Sequence, residues 1–336
     1  MPCQTVIPVS DISQVGEARR IVARLSNDVG FSETARGRLA IIATELATNL
    51  VRHAGSGKLL VQEIMTARGT SFELISIDSG PGITHVDKAL VDGYSTGGTA
   101  GQGLGAIRRQ SDEFDIYSQP DSGTVVLSRV LKSPADAAAN SPTWGAISIP
   151  APYETECGDC WRLSVKDELL SLMVADGLGH GPLAAEAAEQ AAIAFSADSK
   201  TLPGVFLQTA HKALNGTRGA ALAMSQVNMT QMALKFAGIG NISGTLVSGA
   251  DRRGLSSHNG IVGVQLRKVQ EFDYPCGERA ILIMHSDGIQ TRWSFDNYPG
   301  LTNRHPAIIA GILYRDFERG RDDTTVVVAR FSSSKA

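Results

Sequence analysis

Residues 132–142, KSPADAAANSP, interrupt the apolar periodicity that runs on either side of them. A stretch rich in Pro, Ala, Ser and Asn is where one folded domain stops and another starts. Cut there, a chain of 336 residues leaves two stretches that can each bury a core, in keeping with about 150 residues per domain. The expected division is a first domain over 1–132, a linker over 133–142 and a second domain over 143–332. Hydrophobic residues at 43% against 19% charged exclude a disordered chain. The net charge of −3 gives no global attraction to nucleic acid or to a membrane surface, so neither is expected as a partner. No apolar run approaches the roughly 18–20 residues that cross a bilayer. MPCQTVIPVS lacks the basic and apolar regions of a signal peptide. With four cysteines and no secretion signal, reduced thiols and a cytoplasmic location are expected. CGDC (157–160) has redox spacing, but the strand-like WRLSV follows where a redox motif needs a helix, and no second pair completes a zinc site. Coincidence is the better account.

The first stretch reads as two helices (13–29, 33–54), strands 58–66 and 71–78, a glycine-rich loop, a helix over 104–111, and strands 114–119 and 124–131. That order suggests helices layered on one face of a mixed sheet, an α+β arrangement. The second stretch has more strands, near 145–149, 161–165, 169–175, 220–227, 231–237, 243–248, 280–285 and 324–331. Helical patterns over 182–197, 203–215 and 305–318 separate them. Many strands with few helices suit a β-sandwich flanked by helices.

On the helix that contains TELATNLVRHAG (44–55), the apolar stripe of Leu39, Ile42, Ala43, Leu46 and Leu50 leaves Glu45, Asn49 and His53 in one row. Side chains four residues apart on a helix stand about 5–6 Å from each other. DSGPGI (78–83) follows a strand as a tight turn whose glycines also admit a flat ligand. STGGTAGQGLG (95–105) then runs into a helix, and free N–H groups at a helix start cradle phosphate. It is not a P-loop, because no Gly-Lys-Ser/Thr follows, and it is a poor dinucleotide fingerprint, because no strand feeds it.

Taken together, Glu-x-x-x-Asn, Asp-x-Gly-x-Gly, the glycine-rich stretch and SGT (122–124) resemble the GHKL ATP-binding fold, and within it the RsbT-like anti-sigma-factor serine kinases. The resemblance covers most of 5–131. It implies that Asn49 gives an oxygen to Mg²⁺ and Asp78 accepts from the adenine amino group. Gly80 and Gly82 would allow close nucleotide approach, Gly101, Gly103 and Gly105 would wrap the phosphates, and Thr124 would support the adenine end. Glu45 would accept the proton of the attacking serine hydroxyl or polarise a water. His53 is left with two roles, packing or capping on one hand and a nucleotide contact on the other. Histidine kinases share the fold but need a preceding helix pair, for which the N-terminal residues leave no room.

In the second stretch aspartates recur at strand ends: Asp159 in CGDCW, Asp176 in VADGLGHG, Asp287 in HSDGI, and Asp322 and Asp323 in RDDTT. One Asp-Gly is a turn; several converging carboxylates resist ionising unless a cation neutralises them. Oxygen-only ligands favour Mg²⁺ or Mn²⁺, and two such ions can activate water against a phosphoryl group. The order of these motifs, with FAGIGNISGTLV (236–247) and NGIVG (259–263), resembles the SpoIIE type of the phosphatase 2C class, including RsbX-like members, over 143–331. The resemblance implies that Asp176 bridges two metals, with the Gly177 carbonyl, Asp159, Asp287 and Asp323 completing the set and Asp322 outside it. His180 would orient water or phosphate, or else stabilise its turn. No arginine stands beside the first strand to grip phosphate.

The expected function is therefore a bifunctional serine/threonine kinase and phosphatase, using ATP with Mg²⁺ in one domain and two Mn²⁺ or Mg²⁺ in the other. Its expected substrate is a STAS-domain protein of a bacterial partner-switching pathway, with a sigma factor or downstream switch protein as a further partner. The alternative is a nucleotide-binding anti-sigma or regulatory module without phosphotransfer, fused to an active phosphatase.

Overall fold

The computed structural model describes residues 3–91, 103–133, 141–266 and 268–333. In the first stretch the elements are β1 (Thr5–Val9), α1 (Ile12–Asp28), α2 (Glu33–Asn49), β2 (Gly57–Thr66), β3 (Gly69–Ile77), α3 (Val86–Ala89), α4 (Gly103–Gln110), β4 (Glu113–Ser118) and β5 (Thr124–Leu131). The helix starts are written locally. Asp11 accepts from the Ser13 N–H at 2.8 Å while the Gln14 side chain accepts from the Asp11 N–H at 3.0 Å, a reciprocal cap for α1. Ser32 caps α2 by accepting from the Ala35 N–H at 3.2 Å. The five strands form an antiparallel sheet in the order β1-β2-β3-β5-β4. One face of it, with Val61, Phe72, Leu74, Val126 and Val130, packs on the apolar stripe of α2 and on Val15, Ala18 and Val22 of α1. β1 was not expected, because Pro8 demotes TVIPV as a strand; it survives as an edge paired with β2 alone. The helix expected over 33–54 is α-helical only to Asn49, and Leu50–Ala54 widens into a π turn.

The second stretch carries β6 (Thr143–Ile149), β7 (Asp159–Lys166), β8 (Leu169–Gly177), α5 (Pro182–Ala197), α6 (Pro203–Ala213), β9 (Ala220–Asn228), β10 (Ala233–Ile239), β11 (Ser243–Ser248), β12 (Asp251–Leu255), β13 (Phe272–Pro275), β14 (Arg279–His285), α7 (Pro306–Phe317) and β15 (Thr324–Ser332). They make two five-stranded sheets, β13-β10-β9-β8-β7 and β12-β11-β14-β15-β6. Alanines let α5 sit close: Ala188, Ala191 and Ala192, together with Phe206 and Leu207 of α6, pack on Met173, Ala175, Leu222 and Met224 of the first sheet. The strands β12 and β13 lie at sheet edges, and the exposed, charged DRRGL of β12 hides the alternation that would have revealed it.

By their contacts the residues form two compact units, Gln4–Ala138 with Phe295–Arg315, and Met1–Cys3 with Ala139–Ser294 and Asp316–Ala336. The segment 295–315, grouped with the second domain from sequence, thus packs in the first unit, on the sheet face turned away from α1 and α2. That face carries a polar row set by register: Gln62 opposite Glu73, Glu73 opposite Arg129, Arg129 opposite Glu113. Arg129, 2% exposed, pairs with Glu73 at 2.7 Å and Glu113 at 2.7 Å, and Gln62 Nε2 donates to Glu73 at 2.7 Å. His305 closes the row, its Nε2 3.4 Å from Arg129 Nη1 and its N–H donating to Asp115 at 2.6 Å. Beyond it α7 comes so close that a Cβ on Gly311 would stand 2.7 Å from Val125. Lys58 donates to the Tyr314 hydroxyl at 2.6 Å.

Candidate functional site

In the first unit the nucleotide residues gather where α2 ends, β3 stops and α4 begins. Glu45 and Asn49 lie one turn apart on α2, and both face Gly103, the first residue of α4. A Cβ there would meet Glu45 Oε2 at 3.3 Å and Asn49 Oδ1 at 3.4 Å. The start of α4 therefore sits against the carboxylate and the amide. The single row expected for Glu45, Asn49 and His53 breaks after Asn49, because the π turn changes the residue spacing. His53 comes instead close enough to Asp78 for its charge to act on that carboxyl.

Asp78 stands just past β3. Its Oδ1 accepts from the Gly80 N–H at 2.9 Å and the Thr124 N–H at 3.1 Å. Its Oδ2 takes no hydrogen bond among the described residues. Burial raises its pKa, against the two N–H donors and the charges of Arg315 and His53. Thr124 is buried, with its hydroxyl 2.9 Å from Ser118 Oγ. The turn glycines already face protein: Gly82 has φ +69°, and a Cβ on it would stand 1.9 Å from the Gln119 carbonyl oxygen. One on Gly80 would stand 2.6 Å from Ala54. Gly105 is buried within α4. Gly101, with the rest of 92–102, lies outside the described residues.

In the second unit the four aspartates lie near one another at the ends of strands from both sheets, close enough for their charges to interact. Asp159 and Asp176 are direct cross-strand partners on β7 and β8, a like-charge pair that costs stability. Asp323 Oδ2 lies 2.7 Å from where a Cβ on Gly158 would be. Asp287 follows β14, and its Oδ2 accepts from Asn241 Nδ2 at 2.8 Å. Burial first, then the charges of Asp287, Asp322 and Asp323, pushes Asp176 up to about 8. Asp159 is raised by burial and by Asp176, and Asp323 by burial. Asp159 Oδ2 accepts from Ser286 Oγ at 2.6 Å and Asp323 Oδ1 from the Ala151 N–H at 2.9 Å, yet among the described residues the second oxygen of each is buried without a hydrogen-bond partner. Two orphaned carboxylate oxygens in a repelling cluster fit hard divalent cations. Among the described residues no three Asp, Glu, His or Cys side chains close around a single point, so the aspartates stand as neighbours and not as a finished cage. Gly177 is required by packing, since a Cβ would stand 2.0 Å from the Ala184 carbonyl oxygen of α5.

Comparison with known proteins adds identity to this geometry. A family model described as histidine kinase-like ATPase domain matches residues 9–129, and one described as stage II sporulation protein E (SpoIIE) matches 166–332. The serine/threonine-protein kinase RsbT of Bacillus subtilis (strain 168) is 31% identical over 109 residues, 32% of this chain and 82% of RsbT. The chain belongs to the RsbT family, fused to a SpoIIE-type domain. Among solved structures, a chain of the bacterial stressosome, a modular system adapted to control secondary messenger signaling, is 28% identical with a TM-score of 0.52, covering 56% of this chain and 99% of that one. RsbX in complex with magnesium, at 19% identity and a TM-score of 0.50, covers 59% of this chain and 98% of that one and shares the fold. The phosphatase domain of Bacillus subtilis SpoIIE with a fragment of its regulatory domain, at 15% identity and 0.50, aligns with 97% of this chain and 94% of that one. The fusion therefore joins a GHKL-type kinase domain to a phosphatase 2C-type sandwich. No described helix is long and apolar enough to cross a membrane.

The residues outside the expected set have their own environments. His180 is exposed and its Nδ1 lies 2.5 Å from Glu154 Oε1. Cys157 and Cys160 are buried; contact with the Cys3 thiol and then burial push the Cys157 thiol up, and burial pushes Cys160 up to about 11. That suits inert thiols, not redox ones. Ser286 and Asn241, which hold Asp159 and Asp287, were not singled out in the sequence. Ser286 immediately precedes Asp287 in HSDGI, and Asn241 lies in FAGIGNISGTLV, so both stood inside motifs read only for their neighbours.

Proposed function

We propose that this protein is a bifunctional cytoplasmic kinase and phosphatase that sets the phosphorylation of a serine or threonine on a STAS-domain protein in a partner-switching pathway, with kinase residues over 1–132 and phosphatase residues over 143–332. The observation that carries the reading is the presence in one chain of two reactive sets, Glu45 and Asn49 against Gly103, and four aspartates with two orphaned buried oxygens. A sigma factor or downstream switch protein would read the outcome.

In the kinase half Asp78 Oδ2 would accept from the adenine amino group of a bound ATP while Oδ1 holds the turn through Gly80 and Thr124. Gly103 and Gly105 would face the phosphates of a bound ATP, Gly101 of the same stretch being assigned there by sequence alone, and Asn49 would give its oxygen to the accompanying Mg²⁺. Glu45 takes the proton of the substrate hydroxyl as it attacks. In the phosphatase half Asp159, Asp176, the Gly177 carbonyl, Asp287 and Asp323 would hold two Mn²⁺ or Mg²⁺, which supply an activated water and polarise the phosphoryl group. Ser286 and Asn241 fix the carboxylates of Asp159 and Asp287 before any ion arrives. Covalent fusion holds both activities at one substrate at high effective concentration.

The test uses the full chain, Glu45→Ala and Asp176→Asn, each with the organism's STAS proteins, Mg·ATP and Mn²⁺, following phosphate on the STAS protein by mass. Phosphate should accumulate with Asp176→Asn and be absent with Glu45→Ala. No phosphorylation by any variant would reduce the first half to a nucleotide-loaded binding module.

A further inference from the structure

A groove of about 700 Å³ in the second unit opens beside the aspartates, lined by Asp287 and Asp322 together with Arg292, Glu318, Arg319 and Arg321. Its geometry is fixed by backbone pairing. The Arg319 N–H donates to the Gly288 carbonyl at 2.8 Å and the Gln290 N–H to the Phe317 carbonyl at 2.9 Å, on either side of an antiparallel bridge between Ile289 and Glu318. Arg319 is thereby held across from the residue that follows Asp287, and Arg321 adjoins Asp322 in sequence. All three arginines are exposed, and among the described residues none of their guanidinium groups forms an ion pair or a side-chain hydrogen bond.

The balance of charge indicates the occupant. Three guanidinium groups face three carboxylates in the lining, and a cation on Asp287 would spend one of those carboxylates, leaving the groove positive. Guanidinium groups favour phosphoryl and carboxylate oxygens, which they bind bidentately. The lining holds no aromatic side chain on which a nucleobase would stack. We propose that the groove seats the phosphorylated segment of the protein substrate, with Arg319 on the phosphoryl group and Arg292 and Arg321 on acidic side chains that flank it. This rests on the phosphatase reading above and supplies the phosphate grip that the first strand of the domain lacks.

The experiment compares full-length protein, Arg319→Ala, Arg319→Lys and the Arg292→Ala/Arg319→Ala/Arg321→Ala variant, with Arg279→Ala as a charge control on an exposed arginine outside the groove. Two readouts are taken. One is steady-state hydrolysis, with Mn²⁺, of a serine-phosphorylated peptide with acidic flanks. The other is the affinity, by anisotropy with Mn²⁺ present, of a fluorescein-labelled version of the peptide carrying a non-hydrolysable phosphonate in place of the phosphate, beside its unphosphorylated twin. KM should rise about tenfold in Arg319→Ala and further in the triple variant, with kcat changed less, recovery in part by Arg319→Lys, and no change in Arg279→Ala. The dissociation constant should rise in parallel for the phosphonate peptide alone. Values within twofold of the parent in every groove variant, or equal losses for the unphosphorylated twin, would overturn the proposal. A parent that hydrolyses nothing would sink the phosphatase reading, while the affinities would still decide whether the groove holds a phosphopeptide.

Discussion

Asp78 keeps one carboxylate oxygen for its own turn and leaves the other for what enters the site. Asp78→Asn removes the charge and forces the amide to choose between the N–H groups of Gly80 and Thr124 and the ligand. Affinity for Mg·ATP in titration calorimetry should fall at least about tenfold, with helical content unchanged by circular dichroism. Gly82 shows the limit of reading residues alone. The sequence suggests that its bare Cα makes room for a nucleotide, but the backbone that needs the room is Gln119, far along the chain. Gly82→Ala should cost about 1–3 kcal/mol of stability, measured by denaturant unfolding, from positive φ and the clash together. The aspartates were legible for the opposite reason: each sits where an apolar run stops, a signal carried by its immediate neighbours. Their orphaned oxygens, and the Ser286 and Asn241 contacts, depend on partners that no local pattern encodes.

Among elements, the strands with alternating or continuous apolar runs were readable, while the edge strands β1, β12 and β13 were not. An edge needs only one paired side, so Pro8 and the charges of β12 are tolerated there. The row Gln62–Glu73–Arg129–Glu113 is a further property of the sheet that exists only in register. Arg129→Met strands Glu73, fully buried, and should destabilise the protein by about 3–5 kcal/mol in denaturant titration; adding Glu73→Leu should recover much of the loss. The strand ends bearing the carboxylates have their own pH dependence. An acid whose pKa rises on folding binds its proton more tightly in the folded chain. Metal-free stability should therefore fall as pH climbs from the ordinary aspartate range near about 4 toward about 8, the value to which Asp176 is raised. Thermal melts in EDTA across that window should show the decline, Asp176→Asn should flatten it, and Mn²⁺ should reverse it at neutral pH.

For the whole molecule, the seam at 132–142 is visible in composition, but the allocation of 295–315 is not. The helix α7 is buried from Pro306 through Tyr314, and a helix apolar all round must be buried somewhere. That pattern names no partner; Gly311 against Val125, and His305 against Arg129, are settled only by the fold. The residues that cover the far face of the kinase sheet are thus encoded inside the stretch that matches SpoIIE. The peptide bond at the seam is consequently not what keeps the halves together. A single protease nick introduced between 136 and 137 should yield two fragments that still elute as one species in gel filtration. They should part only when denaturant strips 295–315 from the sheet, so the fusion would behave as a two-piece protein held by its own exchanged segment.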